Sequence, residues 1–371
     1  MVRTSLVVLF LLALPAYTLG QESRINLILL LNTESADRAV ALYEGLSGSS
    51  QEIAQLRGSQ LALATTALLA QQELSTPDLE RNLAAAKYNQ TIDNDIFRMK
   101  EARGSVGAIK DLLVEIRQRN FAQKVISTVE QLFPSDTQLS TTIPIFFVAF
   151  GHANIDAYVR RVVWRGNVPL FVGEGQGELT IVVNLAKAIS YGRTTDERFI
   201  GMMSIVAHEV FHAAFGAYKD RSPFWRQYYA TRRTYLDQLL DLAQNEGIAY
   251  YLTLVQRSRG RLQYDEIGRV NGAFAEFNRN AAELLSGRLT DYRANEILRL
   301  SNTSGYWQSF GAITGMIVAR QIDQTLGREA LIETVALGPK VFFEKYSELM
   351  KRNNDIPLLS DDVLRFLART R

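Results

Sequence analysis

The chain has 371 residues, of which 47% are hydrophobic and 22% charged, and its formal net charge is +2. That composition is ordinary for a globular protein with ample core material, and no run of five or six like charges marks a nucleic-acid surface. Cysteine is absent, which excludes a disulfide framework, a lipid carried on cysteine and thiolate metal ligands.

The first twenty residues, "MVRTSLVVLFLLALPAYTLG", hold one basic residue, an apolar stretch from Leu6 to Leu14 and small residues near Gly20. That layout predicts a secretory signal peptide over residues 1–20, too short and wrongly flanked for a stable membrane span. Its removal would leave 40 basic against 39 acidic residues, since only Arg3 is lost. The expectation is a secreted or periplasmic protein with no membrane anchor after cleavage and no charge steering it to nucleic acid.

Residues 21–135 carry apolar residues at three- and four-residue spacing, as in "VGAIKDLLVEIRQRNFAQKVISTVEQLF", and predict a helical N-terminal region that packs on or covers the rest. The pattern changes after residue 136. "TIPIFFVAFG" (142–151) is apolar, aromatic and β-branched, as a buried strand should be. "VPLFVGEGQGELTIVVNLAKA" (168–188) predicts two further strands around a glycine-rich hairpin turn. That turn lacks the lysine and following helix of a phosphate-binding loop. From residue 194 onward the pattern is helical again. Gly311 and Gly315 in "SFGAITGMIVARQI" predict a close helix–helix contact rather than a membrane span, because the apolar run ends at Arg320.

Within this part lies "AHEVFHAAFG" (207–216), with two of the chain's three histidines. Thr194 and Glu197 form a capping box that starts a helix, and Gly216 is placed to stop it. On that helix His208 and His212 are one turn apart on one face and can converge on one ion. Glu209 lies about 100° around the axis, displaced from the ion but suited to meet a water on it. The spacing matches the chemistry of a catalytic zinc site: two imidazoles and a third protein ligand hold Zn²⁺, and water takes the open position. A neighbouring carboxylate then accepts the water's proton.

The third ligand has to be sought elsewhere. The longer metzincin motif would need a histidine at position 218 and a glycine at 215, which are Tyr218 and Phe215. His152, the remaining histidine, reads as a strand-end or turn residue. Downstream, a helix predicted to start at Ser222-Pro223 aligns Leu239, Leu242, Ala243, Glu246, Ala249, Tyr250 and Thr253 on one face. A lone carboxylate on an apolar stripe is costly to bury, and a cation beside it removes that cost. Gly247 and Ala249 leave room for a second helix.

"HEVFH" followed 34 residues later by "NEGIA" resembles the gluzincin metallopeptidases, whose third zinc ligand is a glutamate on a second helix. "NEGIA" is similar to the Asn-Glu-Gly-aromatic-Ala stretch of zinc aminopeptidases, and residues 140–350 resemble a group of bacterial zinc-dependent proteases. The resemblance implies His208, His212 and Glu246 as ligands of one Zn²⁺, and Glu209 as general base. It also implies a substrate-binding edge strand just before the motif helix, a role that residues 178–188 fit. The chain departs from thermolysin-like members, which place an aspartate where Tyr250 stands; Asp237 or Asp241 could instead orient the histidines. For the oxyanion donor Tyr306 comes first, with Tyr250 and Tyr251 behind it.

The fold class expected is α+β and mostly helical: a zincin-like catalytic domain over residues 136–371, with a small sheet, an active-site helix and a C-terminal helical subdomain, preceded by the helical region 21–135. The function expected is an exported zinc metallopeptidase acting on a peptide or protein substrate. Two other readings remain open: a non-catalytic exported binding or structural protein with a vestigial zinc site, and a zinc hydrolase of a non-peptide amide or ester.

Overall fold

The computed structural model describes residues 25–46, 48–92, 94–154, 156–173, 175–232, 234–302, 308–353 and 355–369. The expected signal peptide and Tyr306 lie outside the described residues. The first described element is strand β1 (Ile25–Asn32). Seven helices follow: α1 (Glu34–Tyr43), α2 (Ser50–Ala54), α3 (Arg57–Ala70), α4 (Thr76–Lys87), α5 (Met99–Gly104), α6 (Val106–Gln118) and α7 (Phe121–Glu130). The remaining strands are β2 (Leu139–Val148), β3 (Ala157–Arg165), β4 (Val168–Phe171) and β5 (Glu178–Asn184). After the short α8 (Leu185–Ala188) come α9 (Thr195–Arg221), α10 (Pro223–Thr231), α11 (Tyr235–Ser258), α12 (Tyr264–Leu285), α13 (Asp291–Asn302), α14 (Phe310–Leu326), α15 (Arg328–Met350) and α16 (Asp361–Arg369). The molecule is therefore α+β and mostly helical, with one small mixed sheet.

The sheet order is β1-β2-β5-β3-β4. β1, β2 and β5 run parallel, and β3 pairs antiparallel with both β5 and β4. Successive side chains of a strand point to opposite faces, and β2 uses both. Phe147 meets Phe121 of α7 at 5.8 Å, and Phe121 in turn meets Phe199 of α9. Phe146 meets Trp164 at 5.8 Å on the other face, where Arg57 of α3 lies over the Trp164 ring. Helices thus cover both faces, which is why β2 and β5 read as near-continuous apolar runs.

Several sequence expectations change. β1 lies in the region read as helical; its alternation of buried Ile25, Leu27 and Leu29 with exposed Ile28 and Leu30 is masked because its outer face is also aliphatic. β3 was missed because its period-2 pattern is broken by Arg160, Arg161 and Arg165. The run 168–188 is not a hairpin. β4 and β5 lie on opposite sides of β3, and the glycine-rich segment crosses over it. There Gly177, at φ 63°, passes so close that a Cβ would sit 2.5 Å from the Val162 carbonyl oxygen. It follows that β5, assigned above to the substrate-binding edge, is internal.

The helix boundaries shift too. Gly216 does not end the motif helix, because α9 continues to Arg221 and stops at Ser222-Pro223. The segment read as one helix from Ser222-Pro223 is two. Ser222 caps α10, and a second capping box, Thr234 with Asp237, starts α11. The expected capping box of Thr194 and Glu197 is present at the start of α9. Gly315 meets α11 as the close contact anticipated for it, lying directly against Gly247.

Candidate metal centre

Two helices carry the site. α9 packs on α7 through Phe199, which meets Phe121, and on Phe133 through Phe211 and Phe215. α11 lies against α9 on one side and α14 on the other. The crossing is antiparallel in register, since His212 faces Asn245 while Lys219 faces Asp241.

At the crossing His208, His212 and Glu246 converge. The two Nε2 atoms are 3.0 Å apart, and one Glu246 carboxylate oxygen lies 3.7 Å from His208 Nε2 and 3.3 Å from His212 Nε2. A tetrahedral zinc ion with bonds of about 2.0–2.1 Å sets its ligand atoms about 3.3 Å apart. The observed triangle brackets that edge length, so these residues fit a single zinc ion with a fourth position left over. His152 stands apart from this group; its Nδ1 accepts from the Asn154 N–H at 3.2 Å, as a turn residue does. The three side chains keep 13%, 12% and 19% of their surface exposed, so the centre is open enough to admit a ligand.

The electrostatics suit a cation. Burial, reinforced by His212, lowers the His208 pKa to about 3, so its imidazole is neutral and free to ligate. Burial also opposes a charge on His212, but Glu246, by charge and hydrogen bond, pushes it up to about 9. Glu246 stays below the usual carboxylate range despite its burial, because His212 and His208 favour its charged form. These shifts couple a charged Glu246 to a cation beside it, a place that a protonated imidazole or a metal ion can fill.

The residues that orient these three side chains come from α11 and α13. Asn245 Oδ1 lies 3.2 Å from His212 Nδ1. His208 hydrogen bonds to the Ala249 backbone carbonyl, and Glu246 accepts a hydrogen bond from the Asn302 side chain. Sequence reasoning looked to Asp237 or Asp241 instead. The structure commits Asp237 to the α11 cap, and Asp241 to Lys219 at 2.7 Å and Arg232 at 3.1 Å. Adjacency of Asn245 to Glu246 was the one available signal. The carbonyl of Ala249 and the distant Asn302 had none.

Glu209 is turned toward the sheet. Burial first, then the charge of Glu246, raises its pKa to about 7, while His212, the Val159 backbone N–H and Arg160 pull it back. Of the tyrosines considered as oxyanion donors, Tyr251 is engaged elsewhere, its hydroxyl 2.7 Å from Asp323. Tyr250 lies with its ring 5.2 Å from that of His208. Tyr191, not singled out by sequence, is held protonated by burial and by Asp156, with Glu209 adding to the effect.

Residues 29–355 match the profile of a family described as putative zinc dependent peptidase (DUF5700). No curated protein and no solved structure matches the chain. The match begins within β1 and takes in the other four strands, both site helices and the whole His-His-Glu cluster, and the protein belongs to the family so described.

Proposed function

We propose that the protein is an exported zinc peptidase that hydrolyses peptide bonds, with His208, His212 and Glu246 holding one zinc ion and Glu209 as general base. The observation that carries this reading is the ligand triangle with Glu209 one residue from His208 and raised to about 7. Zinc bound there would supply a Lewis acid that polarises a carbonyl and makes water a nucleophile at neutral pH.

The rest is done by the chain. A carboxylate titrating near 7 matches the working pH of a general base. Glu209 would take a proton from water as its oxygen bonds to the peptide carbonyl carbon, and give that proton to the amine as the C–N bond breaks. The Val159 N–H and Arg160 steady its carboxylate between the two transfers. Tyr306 remains the proposed donor to the carbonyl oxygen; it follows Asn302, which bonds to Glu246, by four residues.

A peptide needs a rail, and β3 offers one. The Asp156 carbonyl accepts from Asn184 on β5, whereas the Arg161 carbonyl accepts from Val172 on the opposite side. Alternation then turns the backbone groups of Ala157 and Val159 away from β5. β4 pairs only with Val162–Arg165. Among the described residues no strand pairs with the outward side of Ala157–Val159, beside Glu209, and an extended peptide can add there by main-chain hydrogen bonds once the Val159 groups exchange their side-chain partners. Export is proposed from residues 1–20 alone.

Glu209→Gln tests the mechanism. The variant should bind one zinc per chain, keep its fold and lose cleavage of a peptide library that wild type digests. Undiminished cleavage would refute the role of Glu209.

A further inference from the structure

Neighbouring arginines on β3 are treated differently. Arg161 Nη2 meets Asp220 of α9 at 3.0 Å. Arg160 makes no ion pair among the described residues. Its guanidinium lies over the Tyr158 ring at 3.9 Å, donates to the Tyr158 hydroxyl, and through Nη1 donates to the Val159 carbonyl at 3.2 Å. The residue as a whole is exposed, yet its charged head is packed against ring and strand, and this desolvation lowers its pKa against the pull of Glu209. The two outward backbone groups of Val159 thus each meet a charged side chain: its N–H faces Glu209 and its carbonyl faces Arg160.

We propose that Arg160 determines specificity by receiving a carboxylate of the substrate at the open edge of β3. The proposal rests on the peptidase reading of the adjacent centre. A desolvated guanidinium without a carboxylate partner is primed for a two-pronged, charge-assisted pair, and Lys could not replace its planar fork. Tyr158 holds the fork from both ring and hydroxyl, so little freedom remains to be lost on binding. A peptide strand pairing with β3 would donate its own N–H to the Val159 carbonyl and release Nη1 toward the ligand. The carboxylate has two sources, the C-terminus of a peptide or an Asp or Glu side chain near the scissile bond.

The test uses matched peptides, with free or amidated C-termini crossed with Asp/Asn and Glu/Gln replacements. Binding is measured on Glu209→Gln protein, with and without zinc, and cleavage on wild type. The same peptides are then run against each protein carrying Arg160→Gln, and against Arg160→Lys, with thermal melts to confirm the fold. A carboxylate should improve binding and kcat/KM about tenfold or more over its amide. Arg160→Gln should bring that ratio close to one, and Arg160→Lys should retain part of it. Loss of the ratio on amidation assigns the terminus, and loss on Asp→Asn or Glu→Gln assigns the side chain. A ratio near one in wild type, or one unchanged in Arg160→Gln, overturns the proposal. Carboxylate-dependent binding through Arg160 with no cleavage would sustain it and defeat the peptidase reading. Cleavage with no Arg160-dependent preference would do the reverse.

Discussion

Gly247→Ala probes the seam on which the metal centre stands. A Cβ at this position would lie 2.2 Å from the carbonyl carbon of Gly315 and 2.4 Å from its Cα. Carbon atoms rest about 3.5–4.0 Å apart, so α11 and α14 must part by more than about 1 Å along that line. Both contacts are backbone, and no side chain can swing aside to relieve them. The substitution gains about 1 kcal/mol of helix propensity. Against that stands overpacking of about 3 kcal/mol or more at so tight a contact, together with weakened dispersion along the whole seam. The net loss is about 2 kcal/mol, a fall in Tm of a few degrees for a chain this long. Glu246 precedes the substituted residue, and a centre needs its ligands within about 0.5 Å, so zinc affinity should fall at least tenfold. Differential scanning calorimetry and competition with a chromogenic chelator measure both effects. Gly216→Ala is the control: it is also helical, but nothing lies within 4 Å of its would-be Cβ, and it should be neutral or stabilising. A Gly247→Ala protein that melts at or above the wild-type temperature and binds zinc equally well would refute this account of the seam.

Other expectations follow from named contacts. Asn245→Ala removes the partner of His212 Nδ1 and should weaken zinc binding 10- to 100-fold, whereas Asn245→Asp keeps the acceptor oxygen and much of the affinity; chelator competition decides. Asn302→Ala should act in the same direction through Glu246, read out by the same titration. Lys219→Met leaves the Asp241 carboxylate, only 7% exposed, with Arg232 as its remaining ion-pair partner, and should cost about 1–3 kcal/mol in urea unfolding. The double variant Lys219→Met/Asp241→Leu should recover much of that loss, because the half-paired buried charge is gone.

How much of this was legible depended on whether the information was local. His208, Glu209 and His212 could be read because one helical turn fixes their geometry. Glu246 was legible because a carboxylate on an apolar stripe calls for a cation wherever the stripe is buried. The supports of these ligands were not. Ala249 acts through a carbonyl that every residue has, and Asn302 reaches Glu246 only through the tertiary path of α13. The sheet order was equally hidden: the glycines at 173–177 announce a change of direction, but only the approach of Gly177 to the Val162 carbonyl reveals that the chain crosses β3. The same crossing makes β5 internal and so moves the proposed substrate edge to β3, where charged residues had concealed a strand altogether.

The two helices that carry the His-His-Glu cluster are also fixed to each other by side chains outside it. Seven residues beyond His212, about 10 Å along α9, Lys219 pairs with Asp241 of α11 and lies over the rings of Phe215 and Trp225, 4.3 Å from each. Seven residues before His208, at the same remove, Gly201 lies against Tyr191, whose ring is covered by Arg257 of α11 at 5.4 Å. A charged clamp on one side and an aromatic wedge on the other bracket the His-His-Glu triangle. Between them the spacing of Asn245, Glu246 and Ala249 on one face of α11 presents a ligand and two supports as a unit. In small zinc-folded modules the ion organises the chain; here the packing of α9 on α11 itself brings the His208, His212 and Glu246 atoms near tetrahedral spacing. Removal of zinc with a chelator should therefore abolish peptide cleavage while leaving the melting transition largely in place.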